Sequence, residues 1–284
     1  MLRDAVYGFA VGDALGVPYE FRDRGTFQCT DMIGGGTWNQ PAGTWSDDTS
    51  MLLATCDSIR ACVRIIPEDM MIRFGEWLFK CDYTANGNVF DVGGTTERAI
   101  NRFMNGTPLE ECGERSNLSC GNGSLMRILP LAFTGTTFET VEKISGLTHK
   151  HPLCAAACRA YIGILIFLSR GQTIQDWIED VEIITKEYRR LKYILDLPES
   201  EIKSTGYVVD TLEAAVWCFG TSHSYSEAVL KAVNLGGDTD TIAALTGGLA
   251  GAYYGYDAIP KEWIEKLRNK ELIDRCLFNE RIFK

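Results

Sequence analysis

The sequence predicts an all-α protein, and three observations carry that prediction. Apolar residues recur at helical spacing along most of the 284 residues. Helix-start signals, namely N-cap hydroxyls and carboxylates and prolines at first helical positions, recur through the chain. Period-2 runs of β-branched residues are nearly absent. Roughly a dozen helices are expected. No Pro/Ser-rich linker, low-complexity stretch or fixed-period repeat divides the chain, so residues 1–284 are expected to form a single domain.

The elements follow in order. Residues 2–16 carry glycine at i, i+4 and i+8 (Gly8, Gly12, Gly16), a pattern repeated by Gly247, Gly251 and Gly255. Each glycine costs a helix about 1 kcal/mol relative to alanine. Such a stripe is tolerable only where another backbone approaches closely, so both helices should be central and tightly packed, each being a candidate partner for the other. Val17 to Trp45 is the largest irregular segment, and loops of that length tend to be functional. A helix over 48–63 begins at Asp47-Asp48-Thr49, an N-cap region. Pro67 with Glu68 and Asp69 opens another, and Thr107-Pro108-Leu109-Glu110 repeats the signature. Pro152 to Ser169 reads as a buried apolar helix, and Thr173 to Leu195 as a long charged one. In the latter, Lys186, Arg189, Arg190 and Lys192 form a solvated face. Val208 to Phe219, a helix capped by Ser224 with Glu227 as a capping box, Asp240 to Tyr254 and Lys261 to Arg268 complete the set.

Composition narrows the function. Hydrophobic residues make up 45% and charged residues 23%, which excludes disorder, collagen and coiled coil. The net charge of −10 repels nucleic-acid phosphates, so general nucleic-acid binding is disfavoured. An anionic ligand remains acceptable if metal ions sit between it and the protein. The longest run without Asp, Glu, Lys or Arg is Thr241 to Tyr256, short of the roughly twenty apolar residues of a membrane span. Met1-Leu2-Arg3-Asp4 does not resemble a secretory signal, so the ten cysteines are expected to be reduced thiols of a cytoplasmic protein.

Two acidic clusters are the candidate chemistry. Ser46-Asp47-Asp48-Thr49 starts one predicted helix and Gly236-Gly237-Asp238-Thr239-Asp240-Thr241 another. Four carboxylates flanked by hydroxyls are hard oxygen donors, suited to Mg²⁺, Mn²⁺ or Ca²⁺ rather than zinc. A non-helical turn before a helix lets adjacent side chains converge, and Gly236 and Gly237 permit such a turn. The alternative is that each cluster only caps a helix. His149 and His151 beside Cys154 and Cys158 could suggest zinc, but cysteines four apart in an apolar helix are ordinarily small hydrophobes. Tyr19, Phe21 and Tyr207 are candidates either for stacking on a base or for the core.

These clusters belong to a longer series. It comprises Gly12-Asp13-Ala14-Leu15-Gly16 with Pro18-Tyr19-Glu20, Ser46-Asp47-Asp48-Thr49, Asp91-Val92-Gly93 with Thr95-Thr96, Gly121-Asn122-Gly123 with Met126-Arg127, Thr148-His149 with Pro152, and the second acidic cluster. In number and order they resemble the ADP-ribosylglycohydrolase family. The resemblance implies an orthogonal helical bundle with two divalent cations, Mg²⁺ or Mn²⁺, in a cleft. It implies metal ligands at Ser46, Asp47, Asp48, Asp238, Asp240 and Thr241, and catalytic carboxylates at Asp91 and Glu20. It further implies ligand binding by Ser119, Gly121, Asn122, Gly123 and His149. The implied reaction removes ADP-ribose from a modified protein or a small ADP-ribosyl conjugate. Two departures stand out: Ser46 replaces the family's usual threonine, and Gly94 stands where asparagine is frequent. One rival is an ADP-ribose-binding or crystallin-like relative that has lost its chemistry. Another is a phosphoester hydrolase, disfavoured because only Arg127 and Lys150 could direct phosphate near the motifs.

Overall fold

A computed structural model describes residues 1–181 and 186–283. Thirteen α-helices are present among them: α1 Leu2–Gly16, α2 Asp47–Cys62, α3 Pro67–Lys80, α4 Gly94–Met104, α5 Leu109–Cys112, α6 Phe138–Ser145, α7 Pro152–Ser169, α8 Ile174–Asp180, α9 Val208–Gly220, α10 Tyr225–Asn234, α11 Thr239–Tyr254, α12 Lys261–Lys266 and α13 Lys270–Cys276. Short 3₁₀ segments join them, and the only β pairings among the described residues are isolated bridges. The all-α expectation holds.

The centre is the antiparallel pair α1 and α11. A Cβ at Gly8 would lie 2.3 Å from the Gly247 carbonyl oxygen, and one at Gly12 would lie 2.1 Å from that of Ala243. No side chain fits there, which is why glycine is used despite its helix cost. Gly251 meets Asp4 in the same way, but Gly255 has open space around it and instead ends α11 at φ +85°. The paired stripe is therefore one glycine shorter on α11 than the sequence suggests. Tyr225 and Tyr161 each donate a hydroxyl to this pair, to the carbonyls of Gly8 and Leu245.

Three expected elements differ. The helix foreseen over 173–195 stops at Asp180, because Val181 is extended (ψ 122°). A 3₁₀ run over Lys186–Asp196 follows, broken at Tyr193, and residues 182–185 of that expectation lie outside the described residues. Of its basic residues, Arg190 pairs with Glu213 at 3.2 Å and Lys192 donates to the Ile178 carbonyl. The element after Pro108 is a single turn. At α10 the Ser224 hydroxyl does accept from the Glu227 amide, but the Glu227 carboxylate takes the His223 N–H, one residue before the expected reciprocal bond. Helix α7 is long and apolar enough to cross a membrane (mean hydropathy 1.7), although Arg159 interrupts its uncharged run; 56% of that helix is buried in the protein. All ten cysteines are unpaired.

Antiparallel packing of α1 on α11 decides where the chemistry lies. It brings the end of α1 to the start of α11, fixed by the Thr239 hydroxyl on the Gly16 carbonyl at 2.8 Å. Asp13, the one charge between Ala5 and Gly16, then reaches the start of α2. Its carboxylate accepts from the amides of Ser46 (2.9 Å) and Thr49 (3.0 Å) and from the Thr49 hydroxyl (2.6 Å). Three helix ends thus converge, two of them N-termini whose dipoles favour negative charge.

Candidate active site

The two acidic clusters, far apart in sequence, meet. Thr241 Oγ1 donates to Asp48 Oδ1 at 3.3 Å across 193 positions of chain. Carboxylate oxygens of Asp13, Asp48 and Asp240 lie within 4.8 Å of one another, as do those of Glu20, Asp91 and Asp240. Asp240 is the shared corner. Asp47 and Asp238 flank the group and line a cleft of about 230 Å³ together with Glu20, Asp91 and Thr241. Ser46, Asp48 and Asp240 lie beneath its floor, each at most 2% exposed.

Local sequence explains each placement. Ser46 is extended and its hydroxyl accepts from the Asp48 amide at 3.3 Å, so it caps α2. Gly236 (φ +72°) and Gly237 (φ +73°) make the left-handed turn before α11. Asp238 occupies the N-cap position of α11 without making a cap bond. Instead its Oδ2 accepts from Asn122 Nδ2 at 2.6 Å. Asp91 is itself left-handed at φ +57°. Glu20 follows the 3₁₀ turn of Val17–Tyr19, and Trp38 Nε1 donates to its Oε2.

The ligand loop is built differently from its sequence reading. Small residues there could free backbone N–H groups for a diphosphate, yet the Asn122 amide donates to the Gly206 carbonyl at 3.1 Å. The Ser119 hydroxyl is spent on Glu114 at 2.6 Å, and Ser119 does not line the cleft. Glu114 is in turn gripped by Arg98 and Arg102, which with Ser119 hold its carboxyl down at about 2. Gly121, Asn122, Gly123 and His149 do line the cleft, as does Gly94. Tyr19 is buried and stacked on Phe27 at 4.6 Å, so it belongs to the core and is not free to stack on a base. Phe21 and Tyr207 are exposed. His151 bonds Asn117 rather than joining the buried Cys154 and Cys158, and no zinc-type group forms among the described residues.

The electrostatics ask for a cation. Burial, then mutual repulsion, raises the carboxyls of Asp47, Asp48 and Asp240 well above the ordinary carboxylate range. Burial also raises Asp238. Glu20 is pushed up to about 9 by burial and by Asp91, Asp91 to about 7 by burial and by Asp238, and Asp13 to about 6 by burial. Two buried oxygens, Asp48 Oδ2 and Asp240 Oδ2, have no hydrogen-bond partner. Unpaired buried carboxylate oxygens are costly, and divalent cations satisfy them. The donor set fits a hard cation.

This has a measurable consequence. These groups titrate higher in the folded chain than in the unfolded one, where carboxyls titrate near about 4. The folded metal-free protein therefore binds more protons over that interval. Its stability from these groups is full below about pH 4 and is lost as pH rises through about 6, 7 and 9 for Asp13, Asp91 and Glu20. Mg²⁺ or Mn²⁺ should raise the melting temperature of chelator-treated protein by on the order of 5 °C at pH 8, and by much less at pH 5, where protons compete. Thermal unfolding at both pH values checks this; no shift with either metal at pH 8 would remove the cation site.

The sequence profile of the ADP-ribosylglycohydrolase family matches residues 2–284. The chain belongs to that family. It is 33% identical over 285 residues to an ADP-ribosylarginine hydrolase of Serratia proteamaculans, covering 95% of this chain and 76% of that protein. It is 32% identical to the ADP-ribosyl-[dinitrogen reductase] glycohydrolase of Rhodospirillum rubrum, covering 94% and 90%. A solved ADP-ribosylglycohydrolase-related protein complex superposes with a TM-score of 0.83 at 30% identity, covering all of this chain and 98% of that one. The glycohydrolase fold anticipated from the motif series is therefore present.

Two residues that contact the candidate site of this ADP-ribosylglycohydrolase family member went unassigned in the sequence. Asp13 is part of a quoted motif, yet only the structure shows its carboxylate bracing α2. Its signal is a lone aspartate in an otherwise apolar helix segment, since buried charges are kept only with partners. Thr211 accepts from Asn122 Nδ2 at 3.1 Å and so holds the amide that reaches Asp238; nothing around Thr211 in sequence points to it.

Proposed function

We propose that this chain hydrolyses the bond between the distal ribose of an ADP-ribosyl group and its acceptor. The meeting of Asp48, Asp240 and Thr241 with Glu20 and Asp91 beside one cleft carries the reading. Ser46, Asp47, Asp48, Asp238, Asp240 and Thr241 would hold two divalent cations, Mg²⁺ or Mn²⁺. Bound there, such cations supply an acidified water and a grip on vicinal ribose hydroxyls. The protein's own groups do the rest. Asp91 and Glu20, on the cleft side, are the pair that takes and returns the proton. Asn122 keeps Asp238 oriented, Gly121 and Gly123 leave room for the ligand, and His149 lies against it. Ser119 acts through its bond to Glu114, setting the loop. Ten unpaired thiols support a reducing compartment such as the cytoplasm.

An arginine acceptor is favoured by the aromatic side chains next to the cleft carboxylates Glu20 and Asp91, taken as the cleft's rim. Phe21 follows Glu20 and Phe90 precedes Asp91, with Trp38 bridging the two rings at 6.4 and 5.7 Å. Aromatic faces beside carboxylates attract a planar cation such as guanidinium and offer little to a neutral O-glycosidic serine linkage. Two curated relatives, in Serratia proteamaculans and Pseudomonas putida, are ADP-ribosylarginine hydrolases.

The test is ADP-ribose release from arginine-linked, serine-linked and O-acetyl conjugates, with Mg²⁺ and Mn²⁺ in turn. Release from the arginine conjugate is expected. Cleavage of none, with ADP-ribose still raising the melting temperature, would replace the enzyme by a binding protein. Phe21 is 66% exposed, so Phe21→Ala should fold normally. It should raise KM for the arginine conjugate about three- to tenfold; an unchanged preference between arginine and serine conjugates would dismiss the rim as an acceptor site.

A further inference from the structure

A cation without a counter-ion lies beneath the cleft. Arg127 is completely buried, and no carboxylate pairs with it among the described residues. Its Nη1 donates to the Ile144 carbonyl at 3.2 Å and its Nη2 to Thr148 Oγ1 at 2.8 Å, while Nε has no partner. The Phe74 ring, 4.9 Å from Cζ, is its remaining compensation. Burying a guanidinium this way is expensive for a fold, and the cleft mechanism does not use it directly.

The network gives that charge a role. The Thr148 hydroxyl has one hydrogen. It accepts from Arg127, which can only donate, and its one other partner among the described residues is His149 Nδ1 at 2.8 Å, so that nitrogen is the acceptor on hand for the buried hydroxyl hydrogen. Burial, with Arg127 nearby, drives the His149 imidazole down to about 3, so the ring is neutral near pH 7. A neutral ring that accepts at Nδ1 carries its proton on Nε2. Nε2 has no hydrogen-bond partner among the described residues. The ring borders the cleft at the Gly121–Gly123 loop, where a Cβ on Gly123 would sit 2.7 Å from His149 Cε1.

We propose that Arg127 is a positioning residue that acts through Thr148 to fix His149 as an Nε2–H donor into the cleft, for a phosphate or ribose oxygen of the bound ADP-ribosyl group. The ligand's identity rests on the function proposed above; the tautomer does not. With the opposite tautomer, His149 would turn a lone pair toward the ligand, which repels a phosphate oxygen and leaves only a hydroxyl donor able to bind it.

The chain has three histidines, so ¹⁵N-histidine labelling gives a readable spectrum, with His149 assigned by its loss in His149→Gln. At pH 7 the ligand-free wild type should show Nε2 protonated and Nδ1 bare. Thr148→Val should abolish that bias and weaken ADP-ribose binding, measured calorimetrically with Mg²⁺, about tenfold. Thr148→Ser should retain both properties. Nδ1–H in the wild type would overturn the relay, as would a valine variant with wild-type tautomer and affinity. Arg127→Met should match Thr148→Val, and the Thr148 pair decides the matter whether or not that variant folds. A wild type that binds no ADP-ribose would sink the proposed function, leaving the tautomer measurements to judge the relay.

Discussion

Replacing Asp238 and Asp240 together by asparagine is expected to lower ADP-ribose release by on the order of a thousandfold or more while the protein stays folded. Asparagine keeps an oxygen at each position, so the bonds from Asn122 Nδ2 to Asp238 and from the Thr241 amide to Asp240 keep an acceptor. Two ionisable carboxyls leave a cluster in which Asp240 is raised by burial and by Glu20, Asp91, Asp48 and Asp238. The metal-free variant should therefore melt no lower than the metal-free parent at pH 8. Its melting temperature should also stop responding to Mg²⁺. Both readouts distinguish a lost cation site from a damaged fold. Undiminished turnover by a folded double variant would end the dinuclear reading.

Gly251→Leu is expected to leave no soluble folded protein. The Cβ alone would sit 2.4 Å from the Asp4 carbonyl oxygen and 3.1 Å from Gly8 Cα, and both neighbours are backbone. Backbone cannot move aside as a side-chain tip can, so α1 and α11 would have to separate. Their separation would break the close fit along both helices and strand Asp13 and Asp240 apart. Tyr253→Leu, at an exposed position of the same helix, should fold normally and serves as the comparison. Normal expression and melting of Gly251→Leu would show that the pair tolerates a gap that its geometry forbids.

Much of the site was legible because its residues carry unusual local chemistry. Paired aspartates, adjacent at Asp47-Asp48 and one residue apart at Asp238 and Asp240, each pair beside hydroxyls and a helix start, are hard to explain as solvated surface. The glycine stripes were legible for a similar reason, since glycine at helical spacing is a cost that only close backbone contact offsets. Residues whose role depends on a distant partner were not legible. Thr211 looks like any helix threonine until Asn122 lies against it. Arg127 reads as a candidate phosphate ligand, yet it is buried and turned toward Ile144 and Thr148. Ser119 reads as a ligand contact but faces Glu114. The broken stretch after Asp180 failed for a different reason: its charges match helical spacing, and period alone does not reveal where an extended residue such as Val181 intervenes.

The sequence alone determined the helical class, the positions of the two acidic turns and the need for close packing at the glycines. These follow from short-range physics: helical periodicity, capping and backbone sterics act within a few residues. Only the tertiary structure decided that the two turns share one cleft, that Asp13 braces one of them and that Arg127 and His149 meet at the Thr148 hydroxyl. The first depends on α1 running antiparallel to α11, which sets contacts across some two hundred positions; the others depend on partners some twenty to forty positions away, still beyond what a local pattern encodes.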